Sequence, residues 1–203
     1  MWTGIALTLL GGALWGISGT SVQFLTTAGG APPALVTLLR VLAGGGLFFL
    51  FLLVRERRAV RAMFGDGKTV AALLAFAFAL YGNQLCYAQT VQITNAGTAT
   101  VLQMLGSVFV MAYVCAVGRK LPRGKELAGL VIAMVATLLI ATQGDVTTLS
   151  IPLDGLAWGI ATGLTTGIYI VVPKRYGLYE RFGSLPVVGI GMFLGTLFAV
   201  PTY

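Results

Sequence analysis

The sequence predicts an all-α integral membrane protein, a polytopic helix bundle of inverted five-helix repeats in which the second repeat is incomplete. Three observations predict it. Of 203 residues, 57% are hydrophobic and only 9% are charged, with a mean hydropathy of +0.91. A water-soluble fold of that composition would expose larger apolar patches than soluble proteins carry. The apolar residues also collect into stretches near the roughly 20 residues that a helix needs to cross a bilayer, and every basic residue except Arg40 falls in alternate connections.

Seven stretches are expected, at roughly 4–25, 33–54, 69–88, 94–117, 127–142, 153–172 and 185–203. The first has no Lys or Arg ahead of its apolar run and outlasts a signal-peptide core, so it reads as a retained helix. The third carries polar residues at its end, and the fifth is short. All seven are rich in Leu, Val, Ala and Gly, without the period-2 alternation of a membrane barrel. Helices remain as the way to cross, because lipid satisfies no backbone N–H or C=O.

The connections give orientation. Arg55, Arg57, Arg58, Arg61 and Lys68 follow the second stretch, Arg119, Lys120, Arg123 and Lys125 the fourth, and Lys174, Arg175 and Arg181 the sixth. The other connections, TTAGG, QTVQI and GDVTTLSI, hold no Lys or Arg. The positive-inside rule puts the basic side and the N-terminus in the cytoplasm, with the chain in the cytoplasmic (inner) membrane. The net charge of +7 is therefore a membrane signature. The basic residues sit in short clusters in the connections between apolar stretches, so no nucleic-acid partner is expected. Cys86 and Cys115 form no CxxC pair and read as small buried apolar residues, and the chain has no histidine.

A repeat runs through the chain. Gly4-Ile5-Ala6, Gly12, Gly16 and Ile17 match Gly155-Leu156-Ala157, Gly163, Gly167 and Ile168 at a constant offset of 151 residues. Five helices separate the two starts, and an odd number inverts the topology, as in many secondary transporters. The expected units are residues 1–145, the first repeat with helices one to five, and 151–203, which starts the second. A complete pair would need roughly 300 residues, so the chain is expected to be truncated after its seventh helix.

Glycines set the expected packing. Gly155, Gly159, Gly163 and Gly167 share one helix face, and Gly12 with Gly16 and Gly191 with Gly195 repeat the spacing. Small residues four apart let membrane helices approach closely. Faces of this kind also suit helices that rock during alternating access.

Arg40 is the one charge well inside a span, about 10 Å from the outer end of the second helix. Placing it there costs at least ~2.5 kcal/mol, so it needs a partner or a wet cavity. It either attracts a substrate carboxylate or another anion, or snorkels outward or bonds carbonyls of a neighbouring helix. The third and fourth helices hold the richest polar collection. Asn83, Tyr87 and Gln103 are its cavity candidates, with interhelical hydrogen bonding as the plain alternative. Trp15 and Tyr169 lie deep in their spans, where an aromatic face either lines a binding cavity or packs.

Glu56, Asp66, Glu126, Asp145, Asp154 and Glu180 all fall in connections or at span edges. No P-loop, HExxH, Ser/His/Asp or Cys/His constellation is present, so no catalytic residue, metal site or cofactor is expected and an enzyme is disfavoured.

These segments resemble the drug/metabolite transporter superfamily, specifically its EamA-type members. The likeness is carried by GIALTLLGGALWGISGTSV, by LVTLLRVLAGG with Arg40, by NQLCYAQTVQITNAGTATVLQMLGSVFVMAYVCAVGRKL, by KELAGLVIAMVATLLIA, and by residues 152–176 as a second-repeat opening. It covers essentially the whole chain, but its motifs are diffuse patterns of small and hydrophobic residues. Gly106-Ser107 stands where the family usually has Pro, and Gly118-Arg119 where it has Gly-Glu. The resemblance implies a ten-helix, two-repeat fold with a central cavity for amino acids, other metabolites or drugs.

The expected function is secondary transport of a small metabolite, amino-acid-like or amphipathic, by alternating access. Its expected substrate-binding residues are Trp15, Arg40, Asn83, Tyr87, Gln103 and Tyr169. The rival expectation is a non-transporting accessory or structural membrane protein, or an inactive fragment, which the glycine faces also fit. The expected partners are the bilayer and a small-molecule substrate, with a homodimer as the candidate assembly.

Overall fold

A computed structural model of the protein describes residues 2–119, 122–142 and 151–202. Lys120, residues 144–150 of the GDVTTLSI connection with the end of the first expected unit at 145, and Tyr203 lie outside the described residues. Everything regular in the described chain is helical: α1 (Trp2–Thr27), α2 (Pro33–Arg55), α3 (Arg57–Met63), α4 (Gly67–Ile93), α5 (Ala96–Gln103), α6 (Gly106–Gly118), α7 (Gly124–Thr142), α8 (Leu153–Arg175), α9 (Leu178–Phe182) and α10 (Ser184–Ala199), with a closing 3₁₀ turn at Val200–Thr202.

Among the described residues, five segments are long and apolar enough to cross a membrane: Thr3–Thr27, Pro33–Arg55, Gly67–Ile93, Ala96–Gly118 and Leu153–Arg175. Their outward residues are apolar; Leu9 and Leu47, for example, are 69% and 70% exposed. That inside-out distribution is what a hydrocarbon solvent selects, and the chain is an all-α polytopic membrane protein. Ser184–Ala199 is a shorter apolar helix of 16 residues.

Local chemistry sets the ends. Gly30, at φ 62°, takes the left-handed turn that stops α1, and Pro33 then opens α2. Asp66 caps α4 by accepting from the backbone N–H groups of Lys68 (3.3 Å) and Thr69 (3.1 Å). Asn95 caps α5 through Thr98 N–H at 2.8 Å. The Ala96 N–H, unpaired within that new helix, donates to Gln23 Oε1 of α1 at 2.9 Å.

Four features differ from the sequence expectation. The third span runs to Ile93, so the QTVQI segment is helical; Thr90 is buried, and its hydroxyl donates to Cys86 C=O at 2.8 Å. The fourth stretch breaks at Met104-Leu105, where i→i−3 bonds such as Leu105 N–H to Leu102 C=O (3.1 Å) tighten the chain into the Gly106 contact with α8. The basic links contain helices α3 and α9. Val60 and Met63 are buried on one side of α3 while Arg57, Arg58 and Arg61 stay on the other, the pattern of an interfacial helix. Lastly, α10 ends at Ala199 and gives way to the 3₁₀ turn.

Helix α4 is the hub, touching α1, α2, α5, α8 and α10. Glycines permit these approaches. A methyl on Gly163 would lie 2.9 Å from Leu105 Cβ, and one on Gly167 2.9 Å from Phe109 Cβ. Gly159 meets Leu102 and Gly191 meets Phe76 closer still. The glycine faces of α8 and α10 thus pack as expected, but that of α1 does not. A methyl on Gly12 or Gly16 would meet nothing within 4 Å, because α1 stands off from α5 and the two glycines line an open pocket of about 350 Å³ there.

At one end of the bundle Leu52, Val60, Met63, Leu73, Phe76, Leu178, Val187 and Ile190 form the largest buried cluster, drawing α3 and α9 under α2, α4 and α10. The basic links gather at this end. At the other end Val22, Val36, Tyr87, Ala88, Val91, Ala96 and Ala99 close the bundle.

Candidate functional site

Between the two clusters lies a cavity of about 300 Å³. One face of α4 supplies its floor: Phe76, Leu80, Asn83, Gln84 and Tyr87 recur at helical spacing and all reach it. Opposite stand Trp15 and Gly19 of α1, Arg40 of α2, Gln103 at the end of α5, and Tyr169 of α8. Tyr179 of α9 and Val188 of α10 close the end with the basic links.

All six residues singled out in the sequence, Trp15, Arg40, Asn83, Tyr87, Gln103 and Tyr169, line this single cavity. Sequence reasoning did not single out Gly19, Phe76, Leu80, Gln84, Tyr179 and Val188. The α4 pair was findable, since Phe76 and Leu80 precede Asn83 at seven and three residues on the same face. Gly19 had a weaker signal, one residue off the Gly12–Gly16 stripe. Tyr179 had none, because its link was read without a helix.

The polar wall is built around Asn83, which is 5% exposed. Its Nδ2 donates to Thr162 C=O at 3.0 Å and to Thr166 Oγ1 at 2.6 Å. Thr166 Oγ1 donates onward to Thr162 C=O at 2.8 Å, so toward Asn83 it can only accept. Gln103 Nε2 then donates to Asn83 Oδ1 at 3.2 Å. These bonds fix both amide orientations. Flipping Asn83 would set its carbonyl oxygen against two acceptors, and flipping Gln103 would set oxygen against oxygen. Gln103 Oε1 is left buried and unpartnered.

Arg40 Nη2 donates to Ser18 Oγ of α1 at 2.9 Å, while Nη1 is buried without a partner. No carboxylate is available to it: Glu56, Asp66, Glu126, Asp154 and Glu180, the acidic groups among the described residues, all sit at helix ends or in links. Arg40 thus bonds a neighbouring helix, through a hydroxyl and not through the backbone carbonyl that the sequence reading allowed for. Tyr87 OH lies 3.2 Å from Thr100 Oγ1, and a methyl on Gly19 would come within 2.7 Å of that same hydroxyl. Trp15, Gly19 and Tyr87 also line the side pocket between α1 and α5, and so form the partition between the two spaces.

Aromatic faces complete the wall. Tyr169 packs against the large buried cluster, and burial followed by neighbouring Tyr169 raises the Tyr179 phenol above its ordinary range, keeping it neutral. Among the described residues no group of three or more His, Cys, Asp or Glu is placed to hold a metal. The arrangement offers one cationic donor, one amide acceptor and apolar faces, which equips it to bind and orient a small molecule.

Comparison with known proteins adds two findings. The EamA-like transporter family matches residues 2–142. An uncharacterized inner membrane transporter, YicL of Salmonella typhimurium, is 30% identical over 201 residues, which cover 98% of this chain and 66% of that relative. The chain therefore spans just under two thirds of the relative's length. No solved structure matches.

Proposed function

The chain belongs to the EamA-like transporter family, and from that premise we propose that it carries a small metabolite, amino-acid-like or amphipathic, across the inner membrane by alternating access through the cavity beside α4. One observation carries this reading: five helices, α1, α2, α4, α5 and α8, each send a residue foreseen as polar or aromatic cavity lining into one space of about 300 Å³. The volume suits a metabolite of amino-acid size. The break after Gln103 puts irregular backbone beside the cavity, where discontinuous helices build transporter sites.

The proposed orientation sets the N-terminus and the basic links in the cytoplasm. Tyr179 and Val188 then mark the cytoplasmic end of the path, with Tyr87 and Gly19 toward the outside. Residues 1–145 and 151–203 belong to two units of inverted topology.

Reconstitution tests the function. Proteoliposomes should take up at least one member of a metabolite panel saturably, and the flux should fall when Trp15 or Tyr87 is replaced by alanine. Uptake no greater than in protein-free vesicles across the panel would refute transport by this chain. A non-transporting accessory role is the second reading, favoured by the uncovered glycine face of α1, and that same null result would support it.

A further inference from the structure

We propose that the seam between the basic-link ends of α6 and α8 is a site for one anionic phospholipid, with its phosphate on Arg175 and Lys174 and its acyl chains in the two grooves beside them. The proposal goes beyond the transport reading and does not depend on it. Two adjoining grooves open there, of about 340 Å³ and about 350 Å³. Exposed Leu164 and Ile168 of α8 line the first, and exposed Val114 and Val117 of α6 line the second. Tyr113, Val171 and Arg175 line both and so form the ridge that the grooves share. No acidic side chain lines either groove.

Any outward face of a membrane helix meets lipid; what distinguishes this one is its head. Basic residues at a helix C-terminus ordinarily bond the last carbonyls or offset the helix dipole. Arg175 instead reaches across to α6, where its Nη1 donates to the Tyr113 hydroxyl and its guanidinium lies 6.0 Å from the centre of that ring. That bond fixes the fork in place and spends one of its five N–H groups. Among the described residues Arg175 has no carboxylate partner, and the Lys174 ammonium has neither a hydrogen bond nor an ion pair. A planar fork beside a free ammonium, both exposed where the span ends, suits a phosphate. The depth fits as well. Leu164 and Arg175 are eleven residues apart, about 16 Å of helix, against about 15 Å for half of a bilayer's hydrocarbon core. A chain whose phosphate sits on Arg175 therefore has groove wall beside it down to the midplane. Two grooves beside one ridge match the two chains of one diacyl lipid. A soluble anion would use the head and leave the grooves empty, and a zwitterionic lipid would bring its own cation up to Arg175 and Lys174.

Lipid-stripped protein in detergent, titrated with dioleoyl phosphatidylglycerol or dioleoyl phosphatidylcholine, tests the site. Occupancy is read by native mass spectrometry and by ligand-induced thermal shift. Phosphatidylglycerol should bind about tenfold or more tighter than phosphatidylcholine. Arg175→Gln should cost about fivefold, the scale of one basic residue at an anionic lipid surface, and adding Lys174→Gln should erase the preference. Both side chains are exposed, so these variants keep the fold. Arg58→Gln removes the same charge from α3 and should leave the affinity nearly unchanged. Val171→Trp fills the grooves at their shared ridge without altering charge and should lower occupancy by both lipids, with its unfolding temperature in lipid-free detergent reporting that it is folded. Equal affinity for the two lipids, a preference kept by the double variant, an equal loss from Arg58→Gln, full occupancy in folded Val171→Trp, or displacement of the lipid by inorganic phosphate would each overturn the proposal.

Discussion

Gln103 Nε2 donates to Asn83 Oδ1 across 3.2 Å, and this bond joins the end of α5 to the middle of α4. Asn83 extends the connection to α8 through Thr162 and Thr166. One amide thus holds three helices in register around the cavity, a role distinct from contacting the solute. The two readings of this residue in the sequence, cavity lining and interhelical bonding, are satisfied by the same side chain.

Replacing Asn83 tests that role directly. Asn83→Ala removes three hydrogen bonds and leaves Gln103 Nε2 buried without a partner. Membrane hydrogen bonds average about 0.6 kcal/mol, and an orphaned buried group adds about 1–3 kcal/mol. The expected loss is therefore about 3–5 kcal/mol, read as lowered stability in detergent unfolding. Gln103→Ala, which breaks a single bond, should cost distinctly less. A double-mutant cycle should show coupling between the two sites, and strictly additive losses would contradict the shared network.

The glycine faces make opposite predictions at sites that look alike in sequence. Gly163→Val puts a Cβ 2.9 Å from Leu105 Cβ and 3.2 Å from the Leu102 carbonyl oxygen before its methyls are counted, which a close-packed α8 cannot absorb. Overpacking of this kind costs about 1–3 kcal/mol. Gly12→Val, at the matching repeat position, meets open space and should change stability by less than about 0.5 kcal/mol. Thermal unfolding of the two variants side by side decides the matter, and equal losses would mean that α1 is packed on this face.

That contrast marks where sequence stops being informative. Five of the seven expected spans are matched by helices of spanning length among the described residues, and they were legible because bilayer length and charge exclusion act on each helix separately. The six cavity residues were legible because a polar or aromatic group deep in a span has few places to go. The fate of Gly12 was not, since spacing shows that a face can pack and says nothing of what lies against it. The break at Met104-Leu105 was equally hidden, because it answers to the contact between Gly106 and Thr166 on α8, 60 residues away in the chain. Helices α3 and α9 escaped because their Val60, Met63 and Leu178 are too few to stand out among arginines.

Gly19 should prove functional without being important to stability. A methyl there falls 2.7 Å from Tyr87 OH, so Gly19→Ala must push that hydroxyl away from Thr100 and into the cavity or the side pocket. The lost hydrogen bond is worth about 0.6 kcal/mol and is partly offset by the better helix propensity of alanine. The unfolding temperature should hardly move while solute uptake falls severalfold. Tyr87→Phe removes the hydroxyl that blocks the methyl, so pairing it with Gly19→Ala should restore part of the uptake. Uptake that is unaffected by Gly19→Ala would take Tyr87 out of the permeation path.

Acid should weaken the start of α4 through Asp66. The Thr69 hydroxyl, at 2.8 Å, and then the backbone N–H groups of Lys68 and Thr69 hold this carboxylate below its ordinary range, with Arg181 adding to the effect. Arg181 reinforces the site by donating to Thr69 Oγ1 at 3.1 Å, which ties α9 to the cap. Because the folded pKa lies below the unfolded one, the stabilisation is complete above the ordinary carboxylate range. It fades as pH falls through the lowered folded value, and no loss is expected at neutral pH. Unfolding temperature plotted against pH should therefore drop on the acid side in the native protein. Asp66→Asn, which keeps an acceptor for the cap but has no charge to titrate, should flatten that drop while lowering the neutral-pH plateau. An acid limb left unchanged by Asp66→Asn would place the acid sensitivity in some other group.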